Sequence, residues 1–391
     1  MHDLVHDLAL LVGKPESFSI DSNNIQCNNP TKVHHLSFTD CSCLEGNEVP
    51  SWLLEMKHLR TIYFPYVDEV PTKKSFLETC ISRFHYLRML DLHGQSFEVL
   101  PSSISKLKYL RHLDLSKNVK LKSLPNSICK LVALEMLYLA HCEGLERLPK
   151  SIGKLIRLRH LSITTKEKCL PEKEIRCLTS LQRIWIIKCP NMKFLLSNEG
   201  MRSLSALRIL WISDCKSLVS LPASGLKSLT MLNDIFILGC EMLDLNVDDR
   251  LCVGEAQRET VAEEANQVEG RGFVSLRILY LWEMPKLVAL PSWILCGANT
   301  TLQRLQISRC ENLTELMSGR LLENLKALQI LWIYNCPQLI SLPDSIRTPA
   351  SLQEIHIKGC PKLSERCLRE IGEDWEKIAQ VPNIYLDGVK I

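Results

Sequence analysis

Aromatic residues are scarce in this chain, and two features of other common protein classes are missing. Only 6% of its 391 residues are aromatic although 46% are hydrophobic, so leucine and isoleucine supply much of the apolar content. No segment approaches the ~18 consecutive apolar residues that a membrane-spanning helix requires. The net charge of +3 is far from the strongly basic balance of a nucleic-acid-binding protein. We therefore expect neither a membrane span nor a nucleic-acid partner.

Recognisable catalytic and nucleotide-binding motifs are absent as well. The sequence contains no Gly-x-Ser-x-Gly elbow, no HExxH helix and no dinucleotide-binding glycine pattern. Lys14 and Lys154 each follow a glycine, but both sites lack the leading glycine and the Ser or Thr of a phosphate-binding loop. The adjacent His34 and His35 fall in a predicted strand, where surface positions are expected. We predict a chain that is not an enzyme and holds no cofactor or metal.

Cysteine, in contrast, is abundant, with seventeen residues. Because this number is odd and the segment Met1-His2-Asp3-Leu4 does not resemble the start of a signal peptide, we expect reduced thiols in an intracellular protein. A zinc site needs clustered ligands, whereas one thiol per repeat favours a small buried side chain in a turn. The cysteines that share one place in the repeat described next are Cys142, Cys189, Cys215, Cys240, Cys310, Cys336 and Cys360.

A leucine pattern recurs along most of the chain and determines the fold prediction. Its unit is LxxLxL, as in Leu110-Arg-His-Leu113-Asp-Leu115, and we number its places positions 1 to 6. Several units end in a Leu-Pro tail such as Leu148-Pro149, and Ile384-Tyr-Leu386 looks like a degenerate last strand. The thirteen copies lie mostly 23 to 28 residues apart and begin at Val33, Leu59, Leu87, Leu110, Leu134, Leu158, Leu181, Leu207, Leu232, Leu276, Leu302, Leu328 and Leu352.

The spacing of this pattern predicts a stacked fold. Positions 4 and 6 point to one face of a short strand, and a single unit cannot bury that face alone. Stacked units bury it against one another, and the proline of the tail removes a hydrogen-bond donor and ends strand pairing. We predict an α/β repeat fold, a leucine-rich-repeat solenoid (horseshoe). Its parallel β-sheet would line the concave face, and short helical or irregular segments would form the convex side.

The array is interrupted between the copies that begin at Leu232 and Leu276, which lie 44 residues apart. Residues 244–272 contain 8 acids and 3 bases, a net charge of −5, and no aromatic residue. Such a composition buries too little apolar surface to offset the cost of ordering. Two interpretations stay open, a solvated acidic loop near the binding face and a damaged repeat.

Both ends of the chain resemble one family. Met1-His2-Asp3 is similar to the Met-His-Asp motif that closes the nucleotide-binding module of plant intracellular nucleotide-binding leucine-rich-repeat immune receptors. Residues 372–384, which include Trp375, resemble the C-terminal end of many such receptors. In that family the histidine of the motif lies near the phosphates of ADP. Because no phosphate-binding loop accompanies them here, His2 and Asp3 are expected to be remnants without function.

The resemblance also implies a domain organisation. Residues 1–32 would be the end of the nucleotide-binding module and a linker, and residues 33–391 the repeat domain of about 13 repeats. Within it, the acidic insertion occupies residues 244–272 and a C-terminal cap residues 361–391.

Strand geometry predicts which residues bind a partner. Position 5 lies between two buried leucines and therefore faces the concave side, and aromatic residues there are enriched among interface hot spots. Arginine recurs at position 2, where its planar fork suits carboxylates; the alternative is a solvated ladder whose stems cover leucine edges. The predicted partner-binding residues are Tyr138, Trp185, Trp211, Phe236, Tyr280, Trp332, Arg111, Arg159, Arg208 and Arg277.

These features together predict a protein-recognition module. By resemblance, it would sense a pathogen effector or a guarded host protein in plant defence, from the cytoplasm and also the nucleus. It could in addition hold a nucleotide-binding module in another chain. Two alternatives are a substrate receptor of a ubiquitin ligase, for which residues 1–32 are too short to contain the required helical segment, and a leucine-rich-repeat signalling scaffold, whose repeats are usually more regular.

Overall fold

The computed structural model describes residues 16–20, 27, 29–38, 51–64, 74–95, 97–245, 273–316, 325–347 and 351–391. They belong to two compact units. The N-terminal unit comprises Met1–Lys166 and Lys173–Leu181, and the C-terminal unit comprises Glu167–Glu172 and Gln182–Ile391. His2, Asp3 and residues 246–272 of the acidic insertion lie outside the described residues.

The N-terminal unit is built on strands that pair in parallel, each with the next one along the chain. This is the order that the repeat predicts, because each LxxLxL copy contributes one strand. The strands are β1 Ser17–Ile20, β2 His35–Phe38, β3 Thr61–Tyr63, β4 Met89–Asp91, β5 His112–Asp114, β6 Met136–Leu139 and β7 His160–Ile163.

The C-terminal unit continues with the same rule and ends with one exception. Its strands also pair in parallel in chain order, apart from the last, which pairs antiparallel with its predecessor. They are β8 Arg183–Ile187, β9 Ile209–Ser213, β10 Asp234–Leu238, β11 Ile278–Trp282, β12 Arg304–Ser308, β13 Ile330–Tyr334, β14 Glu354–Lys358, β15 Asn383–Leu386 and β16 Val389–Lys390.

Short helices connect the strands, as the proline tails predict. Pro101, Pro125 and Pro291 each stand directly before a helix, in extended conformation, so the chain leaves the sheet at the proline and turns at once. The α-helices are Ser51–Leu54, Lys74–Arg83, Glu172–Ile175, Asn198–Arg202, Ala223–Lys227, Ser292–Gly297, Pro361–Arg366 and Trp375–Ile378; the 3-10 helices are Pro30–Lys32, Ser102–Lys106, Asn126–Lys130, Ile152–Lys154 and Asp344–Arg347.

The core is the predicted ladder of leucines. In the copy that starts at Leu134, the side chains of Leu134, Leu137 and Leu139 are all completely buried, and the same holds at positions 1, 4 and 6 of most other copies. Full burial of one such side chain contributes about 1.5–3 kcal/mol. Since every unit adds the same set, stacking rather than any single contact holds the array together.

A tight turn follows the strand in many repeats and explains the recurring cysteine. A residue in the left-handed conformation, such as His141 at φ 59°, comes directly before the cysteine and turns its side chain inward. The Cys142 thiol is then buried and donates to the Leu115 carbonyl at 3.1 Å. Asn118 stands at the same place one repeat earlier and donates its amide to the same carbonyl at 2.7 Å. The predicted role of a small buried turn residue is confirmed.

Burial also leaves this thiol chemically quiet. Loss of solvation raises the pKa of Cys142 to about 12, against the smaller opposite effect of the Asn118 backbone N–H. A thiol that stays protonated at neutral pH is a poor nucleophile and a poor metal ligand.

Strands form at three places that the leucine pattern did not include or only partly matched. β1 precedes the first LxxLxL copy, and β16 follows the last strand as an antiparallel edge. The degenerate segment at Ile384 is a strand, as predicted.

Across the insertion, β10 pairs directly with β11, so that Phe236 lies opposite Tyr280. Residues 244 and 245 contact neighbouring repeats, because Asp244 donates its N–H to the Val219 carbonyl and the Leu245 carbonyl accepts from the Trp293 ring nitrogen at 2.7 Å.

The C-terminal end is closed by a buried carboxylate. Asp374 is fully buried and accepts hydrogen bonds from the Leu342 N–H at 2.8 Å, from Arg366 at 3.1 Å and from Lys377 at 2.9 Å. Burial alone would raise the pKa of Asp374, but these three donors together lower it below its usual value. The carboxylate thereby joins two cap helices to the Leu-Pro tail at Leu342, 32 residues earlier in the chain.

Candidate protein-binding surface

Alternation along each strand decides which side chains face outward. In β9, Leu210 and Ile212 at positions 4 and 6 are completely buried, whereas Ile209 and Trp211 at positions 3 and 5 are partly exposed. The strands of the C-terminal unit are mostly five residues long, so the residue after position 6, which we call position 7, stands on the same outward face as positions 3 and 5.

Four aromatic residues at position 5 form an unbroken row on this face, which we call the aromatic row. Trp185, Trp211, Phe236 and Tyr280 occupy equivalent places on neighbouring strands β8 to β11. Ring centroids are 6.1 Å apart for Trp185 and Trp211, 4.8 Å for Trp211 and Phe236, and 6.2 Å for Phe236 and Tyr280. The row continues over the insertion without a gap because β10 and β11 pair directly.

Contacts between neighbouring rings limit the exposure of these side chains. Trp185 at the start of the row is 36% exposed, whereas Trp211, Phe236 and Tyr280 are half-buried. Trp211 and Trp332 stand on the outward side at position 5, as predicted, but neighbouring side chains cover part of each ring. A row of rings in contact presents faces and edges that are already held in place, which lowers the entropy lost on binding.

Trp332 lies further along the face and is held by polar contacts. Its ring nitrogen donates to Glu354 at 3.0 Å, and the Arg304 guanidinium lies 5.6 Å from its ring centroid. His356, on the next strand, lies 5.3 Å from the Trp332 ring and stacks on Tyr385 at 4.2 Å. The predicted site residue thus belongs to a second aromatic group, separated from the aromatic row by Gln306 at position 5 of β12.

Two aromatic residues of this face were missed by the sequence pattern. Trp282 and Tyr334 stand at position 7, outside the six-residue frame. Together with Tyr280, His356 and Tyr385 they line a concavity of about 530 Å³. Extending the alternation by one more residue would have found both, because they follow the last buried hydrophobe by one place.

The other predicted site residues are divided between the two units. In the N-terminal unit, Tyr138 lies half-buried 5.2 Å from the His112 ring, and exposed Arg111 forms an ion pair with Glu135 at 3.8 Å. The remaining arginines are exposed at position 2, Arg159 in the N-terminal unit and Arg208 and Arg277 in the C-terminal unit.

Position 5 is not exposed in every repeat. Asp91 is only 5% exposed and accepts hydrogen bonds from both the backbone and the ring of His93, at 3.0 and 2.8 Å. Ser162 is only 1% exposed. The expectation that every residue at position 5 is exposed is therefore wrong at these two repeats. There the side chain at position 5 is short and polar, and the neighbouring side chains cover it.

The described residues contain no group of three or more His, Cys, Asp or Glu side chains arranged to hold a metal ion. Within the same part of the chain, no helix is both long and apolar enough to cross a membrane. What the face offers is aromatic surface, arginine and ordered polar groups, which are the chemistry of a protein interface.

Comparison with known proteins identifies the repeat. A family model described as a leucine-rich repeat region matches residues 70–338, which is more than half of the chain. The chain belongs to the leucine-rich repeat family. The matched residues of this leucine-rich repeat chain include the whole aromatic row.

Two curated proteins from plants are similar to parts of this leucine-rich repeat chain. The disease resistance protein RGA4 of Solanum bulbocastanum is 41% identical over 49 residues, 12% of this chain and 5% of that protein. The disease resistance protein At3g14460 of Arabidopsis thaliana is 33% identical over 129 residues, 32% of this chain and 9% of that protein. The matched segments are thus short parts of much longer relatives. The chain resembles the repeat part of plant disease resistance proteins.

Solved structures share the fold at low identity. A chain of the Toll–Spatzle complex of Drosophila aligns with 97% of this chain and 48% of its own length, at 15% identity and a TM-score of 0.62. The internalin InlF of Listeria monocytogenes aligns with 91% of this chain and 88% of its own length, at 14% identity and a TM-score of 0.50.

Proposed function

We propose that this chain is the recognition part of a plant intracellular immune receptor and binds a protein through the aromatic row. The observation that carries the proposal is the row itself: Trp185, Trp211, Phe236 and Tyr280 on four adjacent strands, with ring centroids 4.8 to 6.2 Å apart. Tryptophan and tyrosine are enriched among interface anchors, and a contiguous patch of partly exposed rings is typical of a binding surface.

The partner would be a pathogen effector or a host protein that such an effector alters. The similarity to two plant disease resistance proteins supports this, as does the resemblance of both chain ends to those receptors. We place its action in the cytoplasm, with the nucleus as a second site. In this proposal residues 33–391 form the recognition domain, and residues 1–32 are the end of a nucleotide-binding module. A nucleotide-binding module in another chain would be a further partner.

The test compares exposed aromatic residues on and off the aromatic row. Effector and host proteins that bind the chain in a two-hybrid screen are purified, and their affinities are measured for Trp185→Ala, Trp211→Ala and Phe194→Ala. Phe194 is 41% exposed in the same unit but lies outside the row. Loss of a central aromatic anchor should cost about 2 kcal/mol or more, roughly 30-fold in affinity, whereas Phe194→Ala should change little. Equal loss for all three variants would remove the row from the interface.

Folding must be measured beside binding, because Trp211 is half-buried. Replacing it removes two ring contacts, each worth about 0.5–1.5 kcal/mol, so Trp211→Ala should destabilise the chain by about 1–3 kcal/mol. Leu210→Ala should cost about 2–5 kcal/mol, since Leu210 is completely buried. Affinities are therefore measured at a temperature well below the melting temperatures of both variants, so that a loss of binding is not caused by unfolding.

A further inference from the structure

A second surface, in the N-terminal unit, combines exposed rings with arginine. We call it the basic–aromatic groove; it is lined by His34, His58, Arg60, Tyr86, Arg88 and Tyr109 and encloses about 350 Å³. It lies where the chain enters β2 to β5, ahead of position 3, and shares no residue with the aromatic row.

The groove comes from a motif that three consecutive repeats share. Each has a basic or histidine residue, then a ring, then the position-1 leucine and an arginine: Lys57-His58-Leu59-Arg60, His85-Tyr86-Leu87-Arg88 and Lys108-Tyr109-Leu110-Arg111. The next repeat has Val132-Ala133-Leu134-Glu135 at the same place. The motif therefore marks one limited stretch of the surface rather than a property of every repeat.

Backbone hydrogen bonds set the arginines side by side. The Arg60 N–H donates to the His34 carbonyl, the Arg88 N–H to the Arg60 carbonyl and the Arg111 N–H to the Arg88 carbonyl, each at 2.7 Å. The Glu135 N–H donates in turn to the Arg111 carbonyl at 2.8 Å. Residues linked in this way belong to neighbouring repeats about 4.8 Å apart, so the three arginines follow one another in a line, and Arg60 and Arg88 both line the groove.

The rings form a second line beside the arginines. Centroid distances are 6.5 Å for His34 and His58, 6.2 Å for His58 and Tyr86, and 6.2 Å for Tyr86 and Tyr109. Tyr86 and Tyr109 are 55% and 60% exposed, which is unusual for two large rings in contact. The groove thus offers apolar ring surface next to positive charge.

Among the described residues, one of the three arginines has a carboxylate partner and the other two do not. Arg111 pairs with Glu135 at 3.8 Å, whereas neither Arg60 nor Arg88 forms an ion pair within the part of the chain that the structure describes. Both are exposed. In the described part of the protein, Arg60 and Arg88 are thus two adjacent arginines whose guanidinium groups are open to pair with a carboxylate, whereas Arg111 already has one.

We propose that the basic–aromatic groove binds an acidic segment of a partner protein, with carboxylates on Arg60 and Arg88 and apolar side chains against Tyr86 and Tyr109. Carboxylates match the planar guanidinium fork and form paired, charge-assisted hydrogen bonds with it. Tyr86 and Tyr109 already stack on each other at 6.2 Å with planes 18° apart, which leaves no space for a nucleobase between them. The chain's net charge of only +3 further favours a polypeptide over a single-stranded nucleic acid.

The test uses the full chain and a fluorescein-labelled peptide in which glutamate alternates with alanine, followed by anisotropy. The double variant Arg60→Gln/Arg88→Gln should lower the affinity by roughly tenfold or more, and Tyr86→Ala/Tyr109→Ala by several-fold, because charge-assisted hydrogen bonds and ring contacts are both lost. Binding should weaken as salt rises. The peptide with lysine in place of glutamate should not bind.

A charge-matched control separates the groove from general basicity. Arg147→Gln/Arg157→Gln removes the same charge from two exposed arginines of the same unit that lie outside the groove, and it should leave the affinity unchanged. Equal weakening by both double variants, or no binding of the glutamate peptide by the parent chain, would overturn the proposal. So would tighter binding of oligouridylate that depends on Arg60 and Arg88, because it would make nucleic acid the occupant. Trp211→Ala should not affect this binding, so failure here and failure of the proposed function are distinct results.

Discussion

Asp374 provides the sharpest test of how the array ends. Asp374→Asn keeps the shape of the side chain but removes the charge that Arg366 and Lys377 share, and it weakens acceptance from the Leu342 N–H. Removing one partner of a buried ion pair costs about 3–5 kcal/mol. The Arg366 side chain retains 30% of its exposure and can recover some hydration, so we expect about 3 kcal/mol, the lower end of that range.

Glu373→Gln is the matched control, because the neighbouring Glu373 contacts the same arginine but is 74% exposed. An exposed pair contributes at most about 1 kcal/mol, so this variant should be almost neutral. Urea unfolding followed by circular dichroism gives the overall stability. Hydrogen exchange of the peptide that contains Leu342 reports on the cap alone, which matters because repeat arrays can unfold in parts.

The pH dependence of the two proteins gives an independent check. The folded pKa of Asp374 is lowered, so its contribution is fully present above the unfolded value of about 3.9 and is lost as pH falls through the folded value. The parent chain should lose its advantage over Asp374→Asn only in acid below about pH 4. If Asp374→Asn costs no more than Glu373→Gln at neutral pH, or if the difference persists unchanged into acid, the carboxylate does not secure the cap.

Three further outcomes follow from the fold. Gly239→Ala should destabilise the chain by about 1 kcal/mol in thermal melts, because φ is +59° and the new methyl would lie 2.8 Å from an oxygen of Asp214; an unchanged melt would contradict the turn. Brief iodoacetamide treatment should label exposed Cys169 and Cys177 before the buried turn cysteines, as measured by peptide mass spectrometry; uniform labelling would contradict their burial. Deletion of residues 250–267 should shift the melting temperature by only a few degrees, because β10 and β11 pair directly; loss of folding would make the insertion part of the core.

The sequence was sufficient for the strands and for the inward side of the repeat. Leucine at positions 1, 4 and 6 predicts a stacked ladder, and each unit has one, from Leu36 to Leu161 in the N-terminal unit and from Ile184 to Ile357 in the C-terminal unit. Position 5 also predicted the equivalence of Trp211 and Phe236, since parallel neighbours in one frame must align.

Other features depend on contacts that no local pattern contains. Trp282 and Tyr334 were missed because the frame ended one residue too early. The half-burial of Trp211 depends on the identity of the residues on both neighbouring strands. The link between Asp374 and Leu342 joins segments 32 residues apart that share no motif. In the basic–aromatic groove the arginines were visible as a spacing, whereas the importance of the ring two residues earlier appears only when the strands lie side by side.

The direct pairing of β10 and β11 has a consequence for how such a chain can vary. Phe236 and Tyr280 are neighbours on the face, although they lie 44 residues apart in the chain, and a ligand bound as proposed above would contact them side by side. The length of the connection between two paired strands therefore does not alter the outward face, whereas the residue at position 5 of each strand does. Insertions and deletions in the connections can accumulate as neutral changes, and a single substitution at position 5 can alter what is bound. In this architecture, the residues on the outward face and the lengths of the connections between strands can therefore change independently of each other.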